Sequence, residues 1–404
     1  MNLPPARFLD RSTPPHLVTL ILLASISALS MNAFLPSLPN MAAWYGVDYR
    51  LMQLSVSLYL GVSAVLQLII GPLSDRYGRR RVLLSGLSLF ILATIGTLIA
   101  PTAETFLICR MAQASVAVAM TLSRAAVRDM VDEARAASMI GYITMFMAIV
   151  PMLGPILGGW LDETFGWQAN FAMLLVAGSM VLGLAWADMG ETAKARPTSL
   201  MAQMRDYPEL LRSPRFWGYV ASSSLASGVF FAYLGGAPFV ASELYGLSPT
   251  MLGVYFAATA IGYALGNFLS GRYGTRFGIN AMIESGCVVT VLGLAVLMVM
   301  MVFLAVPAWA FFGMFFFVGV GNGLVLPGAM AGSMSVRPHL AGSASGLGGA
   351  AMIGGGALLS ALAGALLTPQ SGAWPLVAIQ LISAIGAWVS IRLVIARARR
   401  LQAA

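Results

Sequence analysis

Long apolar stretches, broken by short polar or Gly/Pro-containing segments, recur along all 404 residues of the chain. Twelve of them reach the ~20 mainly apolar residues that a membrane-spanning helix requires. They lie near residues 17–38, 51–71, 82–100, 106–128, 137–161, 170–188, 216–239, 250–270, 279–304, 307–330, 342–367 and 374–396. The pattern predicts an all-α polytopic membrane protein with twelve transmembrane helices in two six-helix halves, residues 1–190 and 216–404. The longest break, 191–215, mixes charges with Pro197, Pro208 and Pro214 and reads as a linker between them.

Composition agrees: 59% of residues are hydrophobic and 9% charged, against roughly 25% charged in a soluble domain. Cys109 and Cys287 fall inside predicted spans, so they read as buried thiols and not as a disulfide or zinc framework. The first apolar run follows Arg7 and Arg11 but is too long, and followed by too many others, for a signal peptide.

Charge orients the chain. Arg76, Arg79, Arg80, Arg81, Arg124 and Arg128 fall on one side of the predicted spans. The linker basic residues and Arg272, Arg276, Arg337, Arg392 and Arg397 fall on the same side; only Arg50 lies opposite. The bias of Lys and Arg towards cytoplasmic loops places that side, and both termini, in the cytoplasm. Topology and anionic headgroups thus account for the formal charge of +8, and no nucleic-acid partner is needed.

The hexapeptide Leu73-Ser-Asp-Arg-Tyr-Gly78 recurs as Leu269-Ser-Gly-Arg-Tyr-Gly274, which sets Asp75 opposite Gly271 and points to a duplicated unit. In the first copy, Gly71 and Gly78 permit close approach and a tight turn. Asp75 can pair with arginines such as Arg76, Arg79 or Arg80, or face a helix N-terminus, and so hold one conformation closed. Span four supplies Arg110 and Gln113, then Arg128 and Asp129 at its end. An intramembrane arginine costs at least ~2.5–3.5 kcal/mol on insertion scales and faces a cavity or partner, unless it snorkels to a membrane edge. In span five, Gly154 and Gly158 share one helical face and suit close helix packing, while Pro151 and Pro155 bend the rod.

The segment Gly71 to Arg81 resembles the loop motif of the major facilitator superfamily. That resemblance implies two six-helix bundles and rocker-switch transport, and the span-five run resembles the motif of the superfamily's antiporter branches. Leu35-Pro36-Ser-Leu-Pro39, Gln67 to Asp75, Gly166-Trp167-Gln-Ala-Asn-Phe171, Ala237-Pro238-Phe239 and Gly321-Asn322-Gly323 to Pro327 are together similar to the Bcr/CflA drug-resistance exporters. The resemblance implies a monomeric inner-membrane exporter of small amphiphilic molecules with protons as coupling ion and no cofactor. A facilitator or carrier of anionic metabolites on the same fold is the alternative. An enzyme is disfavoured, since no clustered His/Asp set or Ser/His nucleophile is present.

The chain departs from that branch at Asn32, where the branch usually carries an Asp before the Leu-Pro turn. None of the fifteen acids falls near the middle of a predicted span. The histidines, His16 and His339, sit at membrane edges. Proton coupling would therefore fall to an edge carboxylate such as Asp75 or Asp129. Without the missing Asp, Arg110 has no obvious counter-ion, so a central cavity with a bare positive charge is expected to disfavour polycations. Tyr59, Tyr233 and Asn322 complete the candidate substrate-binding set with Asn32, Arg110 and Gln113.

Overall fold

A computed structural model describes residues 7–131, 133–192, 208–337 and 340–403. Most of the predicted linker, Asp132 and His339 lie outside the described residues. All regular structure described is helical. Among the described residues, eleven helices are long and apolar enough to cross a membrane: α1 (Leu17–Tyr45), α2 (Tyr49–Tyr77), α3 (Arg79–Ile99), α4 (Ala103–Met130), α6 (Gln168–Asp188), α7 (Pro214–Leu244), α8 (Pro249–Phe277), α9 (Ile279–Phe303), α10 (Ala308–Ser335), α11 (Ser343–Leu366) and α12 (Trp374–Arg399). The 33-residue helix α5 (Glu133–Phe165) completes the predicted twelve, with no charged residue between 140 and 161. Even α3, at 21 residues, spans about 31 Å at 1.5 Å per residue, enough for a ~30 Å hydrocarbon core.

Local chemistry sets the ends of the rods. Asp48 caps α2 by accepting the amide of Arg50 at 2.7 Å, Thr102 caps α4, and Ser248 caps α8 with Pro249 at its first position. Pro36 and Pro39 interrupt α1, which passes through a 3-10 turn at Leu35–Ser37. A second 3-10 turn, Ala114–Val116, breaks α4 near its middle.

Helices α1, α3, α4 and α6 pack among themselves, with α5 on α1 and α2 on α4; α7 to α12 form the corresponding second set. Two seams join the sets, α2 with α11 and α5 with α8. The sets repeat their turn devices closely. Tyr45 donates its hydroxyl to the Ala100 carbonyl at 3.2 Å and precedes Gly46 at φ +63°. Tyr245 does the same to Val306 at 3.0 Å and precedes Gly246 at φ +58°.

The repeat register differs from the one that the matching hexapeptides suggest. Helix α2 ends at Tyr77 and passes through Gly78 (φ +95°) straight into α3. In the second set the helix ends at Phe277 and passes through Gly278 (φ +83°) into α9. Gly78 therefore corresponds to Gly278 and Asp75 to Thr275, four residues beyond Gly271. The chain's reversal fixes the register, and only a residue tolerating positive φ can make it; Leu-Ser-Gly-Arg-Tyr-Gly lies one helical turn too early.

Candidate functional site

A cavity of about 820 Å³ lies between the two sets of helices. On α2 its wall is a stripe at four-residue spacing, Tyr59, Ser63, Gln67, Gly71 and Asp75, the repeat of one helix face. Facing it stand Phe256, Thr259 and Tyr263 of α8 and Asn322 of α10, with Phe231 and Leu234 of α7. The wall continues to the arginine-rich end through Arg79, Arg124, Arg128 and Asp129. The described lining contains no lysine, and its only acids, Asp75 and Asp129, lie at that end.

The opposite end is closed by contacts between the sets. Tyr49 donates to the Gly235 carbonyl at 2.7 Å, Arg50 to the Leu367 carbonyl at 3.3 Å, and Gln53 to the Ser360 carbonyl and hydroxyl at 2.8 and 3.0 Å. Glu163 accepts the Thr250 amide at 2.8 Å. Two of these contacts use helix ends. The Arg50 guanidinium sits on the carbonyl that follows α11, and the Glu163 carboxylate on the first turn of α8, each sign matching the dipole it meets.

Three of the six candidate binding residues, Asn32, Tyr59 and Asn322, are in the wall; Arg110, Gln113 and Tyr233 lie outside the lining. Arg110 is 1% exposed and sandwiched between the rings of Tyr59 at 4.0 Å and Phe34 at 4.4 Å. It donates to the Ser30 hydroxyl at 3.2 Å, the Ser30 carbonyl at 2.8 Å and Gln113 Oε1 at 2.9 Å. Gln113 passes the chain on to Thr94 Oγ1 at 2.8 Å, which donates to the Phe90 carbonyl. The charge is thus met by π faces and oxygens, each desolvated ring contact being worth up to ~2 kcal/mol. It is neither bare in the cavity nor snorkelling to an edge. Tyr233 is fully buried, stacks on Phe315 at 4.0 Å and meets Phe256, itself a lining residue, edge-on at 5.1 Å.

The two wall asparagines behave alike. Asn32 Nδ2 donates to the Ala28 carbonyl of its own helix at 2.7 Å and Asn322 Nδ2 to Val318 at 3.1 Å. Each leaves its Oδ1 without a hydrogen bond among the described residues. A buried acceptor in that state costs ~1–3 kcal/mol, so a donor brought in by a solute is favoured at both positions.

The gating candidates divide by location. Asp75 and Asp129 both bind Arg79, at 2.6 and 3.1 Å, and the Arg79 side chain is 11% exposed; Ser74 Oγ accepts from the same guanidinium. Glu191 caps α3 by accepting the Arg79 amide at 2.7 Å. Arg80 donates to the carbonyls of Met189 and Trp186. Arg76 points outward over the Tyr77 ring at 5.3 Å. Gly71 and Pro151 line the cavity.

Gly154, Pro155 and Gly158 instead serve the closed end. A Cβ on Gly158 would collide with the Ala33 carbonyl of α1. Gly159 abuts the Pro249 carbonyl, and Gly253 the Pro155 carbonyl, so α5 meets both α1 and α8 at backbone distance. The latching residues Tyr49, Arg50, Gln53 and Glu163 were not among the sequence candidates. The four-residue stripe of α2 is legible in the chain and would have added Ser63 and Gln67; the latches carry no local signal, since their partners, carbonyls, an amide and one serine hydroxyl, lie some 87 to 317 positions away.

The Major Facilitator Superfamily model matches residues 20–361. Multidrug resistance protein D of Escherichia coli (strain K12) is 30% identical over 369 residues, covering 88% of this chain and 89% of that protein. The chloramphenicol resistance protein of Pseudomonas aeruginosa is 29% identical over 356 residues, covering 87% and 84%. The crystal structure of the peptide transporter POT in complex with sulfate superimposes with a TM-score of 0.78 at 14% identity, over 99% of this chain and 97% of that one. A twelve-helix fold around a central cavity, matched by these relatives along most of its length, makes the chain a membrane transporter, no enzyme, and a member of the Major Facilitator Superfamily in its Bcr/CflA-type drug-resistance branch.

Proposed function

We propose that the protein exports small amphiphilic molecules across the bacterial inner membrane by alternating access, in exchange for protons. The observation that carries this reading is the pairing of a cavity reaching the arginine-rich end with a set of inter-half latches at the other. With the arginine-rich end in the cytoplasm, this is an inward-open state ready to take up solute from inside. The relatives named for drug and chloramphenicol resistance support the direction and the solute class.

The depth of the cavity is lined by aromatic, aliphatic and neutral polar groups, with two amide oxygens short of donors. That lining suits an uncharged amphiphile carrying hydroxyl or amide donors. Protons would be handled at the mouth by Asp75 and Asp129, which share Arg79. Protonating either carboxylate weakens a charged contact that holds α2, α3 and α4 together at this end.

Uptake of chloramphenicol into inverted vesicles, with an imposed pH gradient and its collapse by an uncoupler, tests the reading. Gradient-dependent accumulation is expected, reduced at least tenfold in Asp75→Asn/Asp129→Asn. Equal accumulation with and without the gradient would leave a facilitator. Asn32→Asp serves as the companion variant: a coupling mechanism seated at the mouth leaves its proton dependence like that of the parent.

A further inference from the structure

A second cavity, of about 570 Å³, lies at the arginine-rich end where α7 begins and α12 approaches its end. Four guanidinium groups line it, those of Arg212, Arg215, Arg337 and Arg397, drawn from three separate stretches of chain. Glu209 is the one carboxylate in the described lining; it binds Arg337 at 2.8 Å, and both side chains are about half exposed. The lining thus has a formal excess of three positive charges around open space. Like charges held together repel, and arginine forks are matched in geometry to phosphate oxygens.

The first half fills the same corner from within. There Asp188, fully buried at the end of α6, accepts the amides of Leu9 at 2.6 Å and His16 at 2.8 Å and ties the segment before α1 to the bundle. Helix α12, the counterpart of α6, has no Asp or Glu along its length. Where one half uses its own anion, the other presents arginines and a cavity.

Apolar surface continues from that cavity towards the membrane. Trp217 and Leu393 are 41% and 66% exposed and flank the close contact between Gly218 of α7 and Val394 of α12. The Trp217 indole donates to the Leu211 carbonyl at 2.8 Å, leaving its ring face available at the height where tryptophans meet lipid headgroups. We propose that this cavity binds the phosphate of an anionic phospholipid, with the acyl chains lying along the α7–α12 seam. Basic pockets between helices at the cytoplasmic surface are the expected seats for such headgroups.

Native mass spectrometry of the full-length protein, titrated with phosphatidylglycerol or phosphatidylcholine, tests the assignment. At least fivefold preferential retention of phosphatidylglycerol is expected, falling to the phosphatidylcholine level in Arg215→Gln/Arg397→Gln. Arg272→Gln/Arg276→Gln, which removes as much charge from the same end, should retain the preference. Equal loss in both double variants would make the effect one of general charge and overturn the site, as would no loss in either. Inorganic phosphate is the second arm: displacement of phosphatidylglycerol by millimolar phosphate, with equal thermal protection by the two, would overturn the lipid in favour of a free phosphate. If the double variant fails to fold, Arg397→Gln alone, on an exposed turn, must still lower retention at least twofold.

Discussion

The two halves share a scaffold and differ in what they bury. Tyr45 with Gly46 and Tyr245 with Gly246 anchor the same turn, and Gly78 and Gly278 make the same single-residue reversal. On that common frame the first half holds ions: Arg110 within its core and the Asp75, Arg79 and Asp129 cluster at its mouth. Counted from the start of the helix, the place of Arg110 in α4 is taken in α10 by Phe315, stacked on Tyr233. The places of Asp75, Arg79 and Asp129 are taken by Thr275, Ile279 and Met334. Backbone devices therefore hold the duplication in shape, while charge has been kept on one side of the cavity only.

The strongest way to break this contrast is to exchange its centres. Arg110→Leu strands Ser30 and Gln113 without their donor and removes the cation that Tyr59 and Phe34 enclose. Transport should fall at least tenfold, with a stability loss of about 1–3 kcal/mol, the scale of leaving a buried acceptor without its donor. Phe315→Leu, a loss of aromatic volume alone, should cost about 1–3 kcal/mol and leave transport within threefold. Chloramphenicol accumulation and thermal unfolding, measured together, decide between them; equal transport defects would show that both centres are merely packing.

The mouth gives the next largest effect. Arg79→Gln removes the shared partner of two partly exposed carboxylates, and accumulation in vesicles should drop about tenfold. Ile279→Gln, its counterpart, should change accumulation less than twofold.

The reversal glycines sharpen the comparison further. Alanine at Gly278 meets open space and carries only the penalty of placing a Cβ in a positive-φ, extended-ψ conformation, about 1–3 kcal/mol. Alanine at Gly78 carries the same penalty and also strikes the Glu191 carboxylate, so its unfolding temperature should be the lower of the two.

The smallest effect belongs to the latch. Glu163→Gln keeps the shape but loses the charge at the first turn of α8, and should raise the outward-open fraction about two- to fivefold in spin-label distance measurements across the closed end. While the latch is shut, the hydrogen bond from the Thr250 amide holds the Glu163 carboxyl below its ordinary value. The closed state is therefore favoured above the ordinary carboxylate range and loses that advantage as pH falls through the lowered value. Acidification below that range should open the latch in the parent and leave Glu163→Gln unaffected.

The spans and the mouth residues were legible because each is local: twenty apolar residues in a row, or Gly, Asp and Arg within one turn. Asn32, Tyr59 and Asn322 were legible as polar groups in apolar runs. The surroundings of Arg110 were not, because Ser30, Phe34 and Tyr59 reach it from two other helices and nothing in span four announces them. Matching letters also misplaced the repeat by one turn at Gly274, since identity of side chains does not reveal which glycine has positive φ. The closing contacts were hidden for a simpler reason: main-chain carbonyls and amides accept or donate whatever the residue, so Gln53 and Arg50 are ordinary letters until the fold supplies their partners.

The single-residue connections at Gly78 and Gly278 have a mechanical corollary. A joint one residue long has too few free torsions to take up slack, so α2 is stiffly coupled to α3, and α8 to α9. Any bending within a half then falls to the irregular turns already in the rods, Leu35–Ser37 in α1, Ala114–Val116 in α4 and the widened turn Val240–Leu244 in α7. Leu35–Ser37 begins three residues beyond the wall residue Asn32 and Ala114–Val116 ends next to the wall residue Ala117, whereas Val240–Leu244 lies beyond the latched Gly235, so two of these compliant turns adjoin the cavity and the third adjoins its closed end.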